Sequence, residues 1–223
     1  MRANDHILAA GRGQALESNK LIRNTFTLLS MTLMFSAVTA GLSMVMHVGP
    51  GLALVADLVA LGLLFFVLPR TANSGAGVGV VFAVTGLLGL GLGPMLTYYL
   101  AMPNGGQVVT MALGGTGVIF LGLSGYVMTT RKDFSFMGGF LAVGLIVVLV
   151  AMLANLFFAM PALSLALSAA VVLLMSGFIL FDVSRIVNGG ETNYIMATMA
   201  LYLDILNLFT SLLHLLGAFN NND

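Results

Sequence analysis

The chain has 223 residues, of which 59% are hydrophobic and 7% charged, with a formal net charge of +0 and a mean hydropathy of +1.06. Soluble domains carry about 25% charged residues, so this chain has too little polar side chain to coat a water-facing surface and reads as an integral membrane protein. It has no cysteine, which excludes disulfide and thiol chemistry, and no basic run that would suit nucleic acid.

Taken in order, Met1–Lys20 is polar and lacks an apolar core with a small-residue cleavage site, so we expect a cytoplasmic tail over residues 1–20 and no signal peptide. The first span then serves as its own insertion signal. A spanning helix needs about 20 mostly apolar residues. Seven stretches qualify: about 26–47, 51–68, 78–100, 108–129, 138–160, 162–181 and 194–219. Pro50 and Pro69 bound the second, and Pro161 separates the fifth from the sixth. The expectation is an all-α, seven-transmembrane-helix bundle forming one membrane domain over 21–219, with a short outer tail at 220–223. A β-barrel is excluded because the apolar runs are continuous rather than alternating.

The eight Lys and Arg residues are Arg2, Arg12, Lys20, Arg23, Arg70, Arg131, Lys132 and Arg185. With seven spans all of them fall on one side, and the other loops contain none. The positive-inside rule therefore predicts a cytoplasmic N-terminus and an outer C-terminus. Glycine is abundant, with 27 residues. Gly75/Gly79, Gly89/Gly93 and the series Gly114, Gly115, Gly117, Gly122 and Gly125 predict close helix packing. The run Gly89–Gly93 follows no strand and lies at membrane depth, which argues against a phosphate cradle. Pro94 is expected to kink the third helix, with neighbours satisfying the carbonyl it frees.

Three acids interrupt apolar stretches: Asp57, Asp182 and Asp204. A carboxylate inside a membrane helix costs roughly 2.5–3.5 kcal/mol on insertion scales and usually faces a bundle interior or a water path. Asp204 has nothing basic within one turn; Asn207 and Ser211 lie on its face at helical spacing. Asp182 ends the expected sixth helix, where Arg185 is a natural ion partner one turn on. Asp57 reads as an outward group near the thinner end of a short helix. A ten-residue connection, Ser184–Asn193, makes helices six and seven antiparallel neighbours, so Asp182 and Asp204 can face each other, with Asp204 one to two turns deeper. Two touching carboxylates cannot both ionise cheaply and can share one proton. Arg70 is a cation that competes for such a pair.

An enzyme would need a nucleophile with a base, or a metal cage. His6, His47 and His214 are far apart and not at ligand spacing with an acid. An intramembrane aspartyl protease also places acids on adjacent helices, but the Gly-x-Gly-Asp context is missing at both Asp182 and Asp204. No catalytic residue, cofactor or stable metal site is expected.

Several longer motifs resemble a known family. Thr129-Thr-Arg-Lys-Asp-Phe-Ser-Phe-Met-Gly-Gly139, Gly91-Leu-Gly-Pro94 and Leu201-Tyr-Leu-Asp-Ile-Leu-Asn-Leu-Phe209 are similar to the Bax-inhibitor family of seven-helix membrane proteins. Arg23-Asn-Thr-Phe26, Met111-Ala-Leu-Gly-Gly-Thr116 and Gly189-Gly-Glu-Thr-Asn-Tyr-Ile195 resemble more narrowly its proteobacterial YccA branch. The resemblance implies a non-enzymatic modulator that binds the membrane-anchored AAA+ protease FtsH and limits degradation of other membrane proteins. It also implies an alternative, a pH-sensitive calcium leak, in which Asp182, Asp204 and Arg70 occupy the gating positions and calcium passes transiently near the two acids. Asp57 matches a further acid of those channels only with a shift of about half a turn. The bilayer and FtsH are the expected partners; no oligomeric state follows.

Overall fold

The computed structural model describes residues 2–220, with side chains from Asn19 onward. The outer tail expected at 220–223 therefore lies outside the described residues except for Asn220, and the side chains of the expected N-terminal tail do so up to Ser18. The chain forms α1 (Arg2–Val45), α2 (Pro50–Thr71), α3 (Ala76–Leu100), α4 (Gly105–Thr130), α5 (Gly138–Phe158, entered by a 3-10 turn at Ser135–Met137), α6 (Pro161–Asn188) and α7 (Tyr194–Asn220). All seven are long and apolar enough to cross a bilayer, α1 from Asn19. No strand occurs among the described residues.

Helix α7 is the core element. It packs against α1, α3, α4 and α6, and Leu201, Tyr202, Leu208 and Leu213 on it are sealed from solvent. Helix α2 leans on α3, and α5 on α6. Only 11% of the α5 span is covered by protein, against 44% of α3, so α5 is peripheral and presents its apolar side chains to lipid.

Three helix ends differ from the sequence expectation. His47 lies beyond α1, in a turn with φ 53°. Pro69 does not end α2. It has no N–H to donate, and its ring crowds the carbonyl one turn back; the preceding turn, Leu63–Val67, opens to π geometry and the helix continues to Thr71. Arg70 donates to the Phe66 carbonyl and Thr71 Oγ1 to the Val67 carbonyl at 3.0 Å, so both side chains serve the irregular turn. Finally, α6 runs past Phe181 to Asn188, placing Asp182 and Arg185 inside the helix. It stops at Gly189, whose φ of 81° is the left-handed end that glycine adopts without a Cβ clash. The connection to α7 thus shortens to Gly189–Asn193. Asn193 caps α7: its Oδ1 accepts from the N–H groups of Ile195 (2.9 Å) and Met196 (3.2 Å). Its amide donates to the Ala72 carbonyl (3.0 Å), tying the connection to the end of α2.

Close packing is concentrated on α3. A Cβ on Gly89 would meet the Ser36 carbonyl oxygen of α1 at 2.5 Å, and one on Gly93 would reach Cβ and Oγ of Ser43. Pro94 frees the carbonyl of Leu90, and Ser43 Oγ donates to that carbonyl across the α1–α3 contact at 2.8 Å. The expected neighbour is thus present, and Pro94 sits in an uninterrupted helix. The other glycine series behave differently. Gly75, Gly79, Gly114, Gly117, Gly122 and Gly125 have nothing within 4 Å of an added Cβ, and Gly115 meets only Leu212 at 3.5 Å.

Gly89→Ala should therefore force α1 and α3 apart and cost roughly 1–3 kcal/mol, as overpacking does, whereas Gly114→Ala should stay within about 0.5 kcal/mol of wild type. Thermal unfolding of the detergent-solubilised protein checks this; equal midpoints would refute the packing argument.

Candidate functional site

Asp182 on α6 and Asp204 on α7 meet. Their carboxyl groups lie side chain to side chain within hydrogen-bonding reach. The geometry follows from the antiparallel pairing. At 1.5 Å per residue, Asp182 stands roughly 9 Å and Asp204 roughly 15 Å in from the shared end of the two helices. Each Cα–Cβ bond tilts toward its own helix N-terminus, so on antiparallel helices the two side chains lean toward each other and close that gap.

Asp204 is only 6% exposed, and its Oδ2 has no hydrogen-bond donor among the described residues. Two ionised carboxylates have no proton to place between them. A single shared proton lets one oxygen donate to the other. With one proton between them, two such carboxyls carry one negative charge instead of two.

The supporting residues expected from spacing are placed elsewhere. Asn207 donates to the Leu203 carbonyl on its own helix at 2.8 Å and faces a different side of α7. Ser211 is buried but makes no bond to Asp204. Arg185 does not form an ion pair with Asp182. It reaches Glu191 at 3.4 Å and the Gly190 carbonyl at 3.1 Å, because the continued helix points it at the α6–α7 connection. It still acts on Asp182 as a nearby positive charge. Arg70 is held by its own π turn, and no ion pair joins it to either acid among the described residues.

Asp57 does not snorkel outward. Its carboxyl lies over Gly91 of α3, where an added Cβ would fall 2.6 Å from Asp57 Cγ. It lines a cavity of about 200 Å³ together with Gly91, Met95, Leu206, Asn207 and Thr210. Tyr202 of α7, which the sequence did not single out, is buried at the contact with α1 and α3. Its hydroxyl donates to the Thr85 carbonyl (3.3 Å) and accepts from Ser36 Oγ (2.7 Å), joining α7 to α3 and α1. His214 Nδ1 pairs with Ser168 Oγ at 2.8 Å, a link between α7 and α6. Among the described residues no cluster of three His, Cys, Asp or Glu could hold a metal ion.

Ser184, two residues beyond Asp182, is the other residue that spacing did not single out. It is fully buried. Its Oγ accepts from the Phe134 N–H (2.9 Å) and from Asn188 Nδ2 (3.3 Å), and donates to the Lys132 carbonyl (3.3 Å). The α4–α5 loop is therefore pinned to the helix that carries Asp182.

The chain matches the family described as Inhibitor of apoptosis-promoting Bax1 over residues 18–221. This protein belongs to the Bax-inhibitor family. Within it, a Vibrio cholerae membrane protein is 56% identical over 94% of both chains. The Escherichia coli protein named "Modulator of FtsH protease YccA" is 50% identical over 92% of this chain and 93% of its own. A Pseudomonas aeruginosa relative is 44% identical over the full length of both. Family membership and the seven spans make the chain a multi-pass inner-membrane protein.

Removing the Ser184 hydroxyl would orphan the Phe134 N–H, at a cost on the order of 1–3 kcal/mol for a buried polar group. Ser184→Ala should accordingly loosen the loop and speed tryptic cleavage after Arg131 and Lys132 several-fold in solubilised protein. An unchanged cleavage rate would mean that Ser184 does not restrain it.

Proposed function

We propose that this chain modulates the FtsH membrane protease, limiting degradation of other membrane proteins, and does no covalent chemistry itself. The observation that carries the reading is the near full-length similarity to the Escherichia coli protein named as a modulator of that protease. In the proposed topology the N-terminus is cytoplasmic, because the alternation of seven spans gathers Lys20, Arg23, Arg70, Arg131, Lys132 and Arg185 at one end. The chain up to Ser18 then offers a polar end for an ATP-driven protease to engage. Overproduction of the full chain should lengthen the half-life of another membrane substrate of FtsH, and deletion of Met1–Ser18 should reduce that effect and slow the chain's own turnover. Substrate half-lives unaltered by the full chain would overturn the reading.

A second reading rests on a separate observation, the enclosed Asp182–Asp204 contact. Here the pair is the gate of a pH-sensitive cation leak, with calcium as the permeant ion and Arg70 as the cation that exchanges onto the acids when the gate moves. In proteoliposomes loaded with a calcium dye, wild-type flux should change with pH, and Asp204→Asn should abolish that dependence because an amide cannot exchange the proton. No flux from wild type at any pH would sink this reading without touching the first.

A further inference from the structure

The α4–α5 corner presents an arrangement that neither reading uses. Helix α4 ends at Thr130, and Arg131 follows with φ 53°, exposed and outside any ion pair among the described residues. Lys132 is also exposed, with its Nζ 5.5 Å from the ring centroid of Tyr126. Its hydrogen bond to Tyr126 raises its pKa, which keeps the ammonium charged. The Phe134 ring stands 6.3 Å from Tyr126 and 6.4 Å from Phe136, so an aromatic row leads from the cations to the head of α5. There Phe136 is 79% exposed and Phe140 74%, followed by the lipid-facing side of the peripheral helix. One acid is present: Asp133 is exposed and accepts the Ser135 N–H at 2.8 Å, which lowers its pKa, and no ion pair joins it to Arg131 or Lys132 among the described residues.

We propose that this corner is a binding site for one anionic phospholipid, with the phosphate between the Arg131 and Lys132 side chains and an acyl chain along Phe136 and Phe140. Charge complementarity selects the occupant. Two cations without carboxylate partners lie at the end of the spans, where headgroups lie, and an exposed apolar strip runs from them into the hydrocarbon. The Ser184 anchor holds the loop in place, so the site is preformed rather than assembled by the lipid.

The test measures binding of phosphatidylglycerol and of phosphatidylcholine to the full chain by native mass spectrometry from detergent. A cation near the surface contributes about fivefold in anionic-lipid affinity, so Arg131→Gln/Lys132→Gln should weaken phosphatidylglycerol binding on the order of thirtyfold and leave phosphatidylcholine binding unchanged. Lys20→Gln/Arg23→Gln removes the same charge from α1 and should change phosphatidylglycerol binding less than threefold. Equal losses in the two double variants would show diffuse attraction to the basic end and overturn the site. So would full retention of phosphatidylglycerol by Arg131→Gln/Lys132→Gln. Phe136→Ala should weaken the binding of both lipids; no change in either would remove the acyl-chain half of the proposal.

Discussion

Hydrocarbon offers no hydrogen bonds, so each polar group within the bilayer must find its partner in the protein. Most of the contacts that organise this bundle are answers to that constraint. Pro94 frees the Leu90 carbonyl, and Ser43 of α1 supplies the missing donor. Ser36 and Tyr202 do the same for one another, with Thr85 completing the chain across α1, α7 and α3. Interhelical hydrogen bonds of this kind average only about 0.6 kcal/mol each in a membrane protein. Their larger effect is on register: sliding a helix by one residue would leave several of these groups unpaired at once.

The Asp182–Asp204 contact meets the constraint in a different way; among the described residues Asp204 Oδ2, like Thr25 Oγ1 and Ser124 Oγ, is buried without a hydrogen-bond partner. Ser, Thr and Tyr carry both donor and acceptor and can satisfy each other permanently. Two carboxyls need a proton to do so. The surrounding charges are arranged without a direct ion pair to either acid. Arg185 is engaged by Glu191, and Arg70 by the carbonyl of its own π turn.

Helix α7 connects the parts of the molecule that polar side chains mark. One side of it bears Asp204 against α6, Tyr202 reaches α1 and α3, and Asn207 and Thr210 open on the Asp57 cavity. The loops at the basic end are fastened by Ser184 and Asn193, each of which bonds to backbone groups of a different connection. The Ser184 bonds fasten the α4–α5 corner to α6 at the head of the peripheral α5.

Composition and hydropathy by themselves determined the fold class, the seven spans and the segregation of basic residues, because each depends on sums over about 20 residues and not on which side a single residue faces. The adjacency of Asp182 and Asp204 was also legible, since a short connection forces neighbouring helices to be antiparallel. Rotation about the helix axes was not legible, and only the tertiary structure decided it. Asn207 shares helical spacing with Asp204 yet faces the Asp57 cavity, while Gly91, one of many glycines, receives the Asp57 carboxyl. Gly114, Gly117, Gly122 and Gly125 of α4 are spaced like packing motifs but face open space, because spacing names a stripe and only the neighbouring helix says whether it is covered. Pro69 and Phe181 read as helix ends because local signals dominate short windows. Arg70 and Thr71 caring for the π turn, and Ser184 anchoring the α4–α5 loop, carried both helices further than those signals allow.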